Sequence, residues 1–426
     1  MSLVLVCLGL LLLATHAFGA SGLGASEFSV ETATRAYVDT LAGDALSKSN
    51  AYFEGGYWII LWTTLVGLFV DLFILQSRWS MRFRQWAQRV TDRAWLQPGL
   101  YALPYSLASF LLFLPWTIYQ GFFREKQYDL LSQSFGAWFG EQAISFALTL
   151  VFLPLFIIVL YAVIRRAPKT WWLWGTGVVA LFIMLTSLLF PVFFAPLFND
   201  FEEMAAGPLR DRIVAMAQAY DVPADRIYVF NQSKQHKRIS ANVSGFGPTI
   251  QISLNDNLLD RTTPEEVAAV MGHELGHYVL GHSWRNIIAL SLLFGFGLFL
   301  VARIAPRLID RYRERWGAID SADPAALPVF SLLLTLFFLL ATPALNTLIR
   351  VSESEADRFG LEAAREPDGF ARVAMRLSEY RKIEPGPIEE MLFFDHPSGM
   401  TRVRMSMQWK QDNLDNPQIV RPPAPR

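Results

Sequence analysis

Residues 273–282 read HELGHYVLGH and place three of the chain's six histidines within ten positions. His273 and His277 stand four apart, so on a helix both project from one face, one turn apart, with Glu274 beside them. Two imidazoles at this spacing can share one zinc ion. Glu274 can then act as general base on a metal-activated water that attacks an amide carbonyl. Just upstream, TTPEEVAAVMG (262–272) gives the helix a marked start. Thr263 is a candidate N-cap, Pro264 fits the first helical position, and Glu265 and Glu266 fall in the first turn. The whole stretch through Trp284 reads as one long helix.

A catalytic zinc of this kind needs a third protein ligand and an open position. His282 lies near, but five residues past His277 on a continuous helix is about 140° round, which points it away from the metal. It reads as a polar helix-end residue near the membrane surface. The longer pattern HExxHxxGxxH is not followed either, since Leu280 holds the glycine position and Ser283 the histidine position. A better candidate lies in RVSESEADRFG (350–360), where Glu353 and Asp357 share one helical face. Glu353 can complete the ligand set, while Asp357 accepts a hydrogen bond from the far nitrogen of a ligand histidine. Glu355 falls on another face. The competing reading of this segment is a run of solvated helix charges. His396, in FFDHPSGMTRVR (393–404), and Arg402 six residues on can stabilise an oxyanion over the metal; a turn histidine before proline is the simpler alternative. His236, in SKQHKRIS, reads as a surface residue.

Outside the motif, 53% hydrophobic and only 18% charged residues among 426 make this a membrane protein. A net charge of -1 offers no basic surface for nucleic acid. The single cysteine, Cys7, excludes an internal disulfide and a Cys-ligated zinc. Apolar runs long enough to cross roughly 30 Å of hydrocarbon lie near 57–76, 101–122, 143–164, 171–198, 286–302 and 325–349. Residues 1–20 read equally as a signal peptide or a first transmembrane helix, and His16 at their end carries no argument. Asp71, inside the first run, either lines an internal chamber or reaches the interface.

The resulting organisation is an N-terminal membrane region (21–198), a zinc-binding catalytic domain with an edge strand and the HExxH helix (199–285), and two transmembrane helices (286–349). The C-terminal part of the catalytic domain (350–412) and a proline-rich, disordered tail (413–426) follow. RIYVFNQS and GPTIQISLN read as strands. Arginine-rich loops at 77–100, 165–169 and 303–315 all fall on one face of a six-span arrangement, and both catalytic segments fall on the other. The positive-inside rule then turns the catalytic side outward, to the periplasm of a bacterial inner membrane.

With these motifs in hand, the chain resembles the type I CAAX prenyl endopeptidases, integral-membrane gluzincins, and more distantly the HtpX-like proteases. PVFFAPLFNDFEE (191–203), SGFGPTIQISLNDNLL (244–259), HELGHYVLGH, SESEADRFG and HPSGMTR occur in that family's order. REKQYDLLSQSFGAWF (124–139) is similar as well, and the resemblance spans about residues 50 to 405. It implies His273, His277 and Glu353 as ligands of one zinc ion, Glu274 as base, Asp357 behind a ligand, and His396 and Arg402 as contacts to substrate and transition state. It also implies a chamber enclosed by helices and roofed by the catalytic domain. The chain departs from the family at the substrate strand, where ISANVSGFG puts Ser240 at the usual asparagine position. Asn242, Ser244 and Gly245 are the candidate substrate contacts, and strand addition through the main chain survives the change.

The expected fold is mainly α: a polytopic helical membrane protein of six or seven spans with a small α+β zincin domain. The expected function is a zinc-dependent membrane metalloendopeptidase acting on peptides or proteins within a lipid bilayer, in quality control of membrane or secreted proteins. A bacterial source makes prenylated substrates a poor match. The alternatives are a CAAX-type processing peptidase facing the cytosol, or a non-catalytic scaffold or transporter with a structural zinc site.

Overall fold

A computed structural model describes residues 28–415 apart from Phe246. The leading run, with Cys7 and His16, and the tail beyond Asp415 lie outside the described residues. A short helix α1 (Val30–Val38) comes first. Six long apolar helices then form the body of the protein: α2 (Gly43–Gln76), α4 (Gln97–Ile118, prolonged by a wider π turn to Gln127), α5 (Phe135–Arg166), α6 (Trp171–Leu189), α10 (His282–Trp316) and α11 (Leu327–Ala364). A lateral helix, α3 (Trp79–Val90), sits between the first two.

Each of the six packs on the next in chain order, and α11 closes the ring against α2. Trp58, Phe69, Leu111, Val151 and Leu292 on these helices are exposed, as expected where the surrounding solvent is lipid. Inside the ring, Ile74, Leu75, Tyr101, Tyr161 and Val301 are fully buried. Asp71 is buried mid-ring and accepts a 2.8 Å hydrogen bond from Tyr105 Oη. With Ser106 and Thr335 it lines a cavity of about 420 Å³, so it does not reach the interface.

One end of the ring is basic and tied together by arginine. Arg78 donates to the Glu314 carbonyl (2.9 Å), Arg84 pairs with Asp323, and Arg165 donates to the Ala94 carbonyl (2.6 Å). The three arginine-rich loops thus meet on one face.

The other end carries the polar domain. Its four strands, β1 (Phe201–Glu203), β2 (Ile227–Phe230), β3 (Ala241–Ser244) and β4 (Gln251–Asn255), lie in the order β1-β2-β4-β3. The β2–β4 pair is parallel and the other two are antiparallel, which leaves β3 at an edge. The strand expected from Gly247 starts only at Gln251, because Gly247–Thr249 form a 3₁₀ turn. Helices α7 (Pro208–Ala219), α8 (Asp256–Arg261) and α9 (Pro264–Val279) complete the unit around Ile213, Ile227, Ile252, Leu254, Met271 and Leu275. After α11 the chain adds α12 (Pro367–Leu377), α13 (Pro387–Phe393) and α14 (Gly399–Asp412).

Two features differ from the sequence-based expectation. The long helix through Trp284 is broken: α9 ends at Val279, Gly281 takes the left-handed conformation (φ +66°), and α10 restarts at His282. Glycine enters that region without a Cβ penalty, so the chain turns sharply there. In addition, α1 packs on α12 and α14, with Tyr37 Oη donating to Asp368 (2.6 Å) and Arg404 pairing with Glu31 (2.7 Å). The start of the N-terminal region therefore belongs with the polar end.

Candidate metal centre

The site begins with the way α9 is anchored. Thr263 caps its N-terminus in a reciprocal box with Glu266. The fully buried Glu266 carboxylate also accepts from Arg376 on α12 (2.9 Å), so one side chain fixes both the start of the helix and its neighbour. Along its length α9 lies directly on the C-terminal part of α11. A Cβ on Gly272 would stand 2.8 Å from the Gly360 carbonyl oxygen, and one on Gly360 would stand 2.7 Å from the His273 nitrogen. The two backbones approach this closely only because both positions lack side chains. Ala356 opposite Gly276 continues the seam.

That approach brings the metal-binding atoms together. His273 Nε2 lies 3.3 Å and His277 Nε2 3.4 Å from the Glu353 carboxylate, and the two Nε2 atoms are 3.1 Å apart. Among the described residues this is the one cluster whose candidate ligand atoms all lie within 4.8 Å of one another. Two imidazoles and one carboxylate form the donor set of a catalytic zinc. The fit is supported by the surrounding charge, because Glu274 and Asp357 add carboxylates within the same few residues. Burial works to lower the His273 pKa, but hydrogen bonds to Asp357 and Glu353 outweigh it and raise the value to about 10. The pocket therefore attracts positive charge. Glu274, partly buried, is raised by burial, with His273 and His277 pulling the other way.

Behind His273 stands Asp357, fully buried, with Oδ1 2.7 Å from Nδ1. Arg402 grips the same carboxylate through Nε (2.9 Å) and Nη2, while its Nη1 has no partner among the described residues. His396 sets Nδ1 at 2.8 Å from Asp395 and Nε2 at 3.3 Å from Glu353. Burial and the charge of Arg381 lower its pKa, against Asp395 and Glu353.

A cavity of about 680 Å³ opens over these groups, lined by His273, Glu274, Glu353, Arg381, His396 and Arg402. Ser240 and Ala241, at the start of edge strand β3, form part of its wall. A second cavity, of about 600 Å³, lies at the other end of the strand beside Val243, Ser244, Gly245 and His277. Ala241 and Val243 line these two spaces, whereas Asn242 alternates to the opposite face and lines a cleft beside Phe190 and Phe201. Gly245 sits at φ +96° against the Thr249 carbonyl, where a side chain would collide.

Sequence reasoning missed three contributions. His282 does stand at a helix end, but it is only 1% exposed and sets its Nδ1 2.9 Å from His277 Nδ1, so it turns toward the metal centre and not away from it. Glu355, set aside as belonging to another face, lies 3.1 Å from His282 Nε2. His236, read as a surface residue, is half-buried in the cavity wall, where burial and Arg238 lower its pKa to about 4. The glycine at 281 was the signal for the first two, since a helix break there cancels the angular argument against His282.

The chain belongs to peptidase family M48, which it matches over residues 203–409, and residues 30–200 match the CAAX prenyl protease N-terminal region of five membrane helices. It is 27% identical to the human CAAX prenyl protease 1 homolog over 418 residues, covering 86% of this chain and 85% of that one. It is also 27% identical over 340 residues to the Bacillus subtilis uncharacterized metalloprotease YhfN, covering 79% of each. The crystal structure of S. mikatae Ste24p has the same fold, with a TM-score of 0.73, 19% identity, and coverage of 89% of this chain and 94% of that one. The protein is a multi-pass membrane metalloendopeptidase of a zinc-dependent family.

Proposed function

We propose that this protein cleaves peptide bonds at a single zinc ion held by His273, His277 and Glu353, with Glu274 as general base. The observation that carries this reading is the convergence of the three ligand groups beside an edge strand that borders two cavities. Zinc bound there would act as a Lewis acid on the scissile carbonyl and would lower the pKa of water. Glu274 takes the proton of the attacking water and passes it to the leaving amine, a role favoured by a carboxylate pKa raised through burial. Asp357 holds the His273 ring, and Arg402 holds Asp357. The remaining donor edge of Arg402, with His396 oriented by Asp395, faces the position where charge develops on the substrate carbonyl.

The substrate lies as an added strand on β3, whose main chain from Asn242 to Gly245 supplies the hydrogen bonds while side chains enter the flanking cavities. Residues 199–285 and 350–412, joined by α1, form the catalytic unit. The ring of α2, α4, α5, α6, α10 and α11 is the membrane domain. The gathering of Arg78, Arg84 and Arg165 at the opposite end supports a catalytic side turned away from the cytoplasm, to the periplasm of a bacterial inner membrane. Misfolded membrane or secreted proteins are the substrates that such a position supplies.

The test is Glu274→Gln in the full-length protein. Cleavage of an unstructured peptide should fall by about 10²–10⁴ while zinc stays bound. Undiminished cleavage would sink the proposal. Orientation is read by adding protease to spheroplasts, where residues 199–285 should be digested without lysis.

A further inference from the structure

We infer that His282 is a positioning residue of the metal centre, receiving the Nδ1 hydrogen of His277 and handing its own Nε2 hydrogen to Glu355. The inference rests on the ligand assignment proposed above.

The tautomers follow from the distances. For His277 to offer Nε2 as a lone pair toward Glu353 and His273, a neutral ring must carry its hydrogen on Nδ1. That nitrogen lies 2.9 Å from His282 Nδ1, a hydrogen-bond distance at which one of the two must accept. His282 Nδ1 is therefore the acceptor, and its hydrogen sits on Nε2. Nε2 in turn lies 3.1 Å from Glu355 Oε2, which can only accept when ionised. Glu355 is fixed by Arg285 Nη1 at 2.6 Å, and Arg285 Nη2 donates to Ser352 Oγ at 2.6 Å. One proton placement satisfies every contact along the chain from ligand to arginine.

The backbone is shaped to permit this. Were α9 to continue as a helix, His282 would project about 140° from His277. The left-handed Gly281 restarts the chain so that the two rings meet nearly edge to face, with centroids 5.0 Å apart. His282 is 1% exposed, and among the described residues its two ring nitrogens bond to these two neighbours alone. The two ligand histidines are thus held differently: His273 directly by a buried carboxylate, and His277 through a second imidazole to a half-exposed one.

The experiment uses the full-length protein in detergent or nanodiscs. Zinc affinity is measured by competition with a chelator, and the ligand field by the visible spectrum of the Co(II)-substituted protein. His282→Leu keeps the bulk but removes the acceptor, and should weaken zinc by about 10–100-fold and shift the cobalt bands. His282→Asn places an acceptor near the Nδ1 position and should recover most of the affinity and the wild-type spectrum. Zinc binding by His282→Leu equal to wild type, or by His282→Asn as weak as in the leucine variant, overturns the inference. Glu353→Ala separates the two levels of argument. If it loses zinc while His282→Leu does not, only the role of His282 fails; if it too binds normally, the ligand assignment itself is wrong.

Discussion

Helix α11 runs through two environments, and its halves meet their neighbours differently. In the first half, Phe337 and Phe338 meet Phe296 and Phe294 of α10 at ring distances of 5.8 and 4.5 Å, and where Phe337 also covers Gly297 the close atoms belong to side chains, which can shift. In the second half the partner is α9, and the contact depends on missing side chains at Gly360 and Gly272. The membrane half has no hydrophobic driving force between helices, since lipid is as apolar as the neighbouring helix, so only packing is at stake. In the site half, a shift of a few tenths of an ångström moves Glu353 against His273 and His277. Chemical precision is concentrated where the seam is bare.

The largest effect should come from filling that seam. Gly360→Ala puts a methyl group 2.7 Å from the His273 backbone nitrogen, which cannot yield as a side chain would. Overpacking of this kind costs about 1–3 kcal/mol. Zinc occupancy should drop together with the melting temperature. Phe337→Ala in the membrane half should lower the melting temperature but leave zinc stoichiometry at one. A harmless Gly360→Ala, or a Phe337→Ala protein that loses its metal, would break the comparison.

Next in size is Asp357→Asn, which preserves shape but takes the charge from behind His273 and from under Arg402. Zinc affinity should fall by about 10–100-fold, as for other groups that orient ligand histidines. Equilibrium dialysis against chelator would detect it; an unchanged dissociation constant would mean that the seam alone sets the ligand geometry.

The sequence exposes these two halves unequally. The six apolar runs, His273, His277 and Glu274, and even the pairing of Glu353 with Asp357, follow from length or from four-residue spacing, both of which are local. The grip of Arg402 on Asp357 joins residues 45 positions apart, and nothing in SESEADR or HPSGMTR marks one as the other's partner. His282 was lost for a different reason: a glycine near a helix end either continues the helix or stops it, and only the packing of α10 decides. The docking of α1 on α14 was hidden because a nine-residue helix lacks any signal of what its apolar face covers.

A smaller effect is expected from Asp71→Asn, the buried polar position of the membrane half. Asparagine still accepts from Tyr105 Oη, so the change costs no more than about 1.5 kcal/mol, the usual net worth of one hydrogen bond. Zinc binding and peptide cleavage should be unchanged. Loss of cleavage with metal retained would show that the intramembrane cavity takes part in handling substrate, which would blur the division drawn between the halves.

The smallest effect belongs to Leu340, which lies on the same helix as Glu353 and is 81% exposed. On a water-soluble protein, trimming an exposed leucine is close to neutral because little packing is lost. Here the reason differs: lipid chains occupy the vacated space as readily as they touched the leucine, so neither burial nor cavity terms change. Leu340→Ala in bilayers should therefore match wild type in melting temperature, zinc content and cleavage. A melting temperature lowered as far as by Phe337→Ala would mean that this face packs on protein rather than lipid, and the ring of six helices would then be only part of the assembled membrane domain.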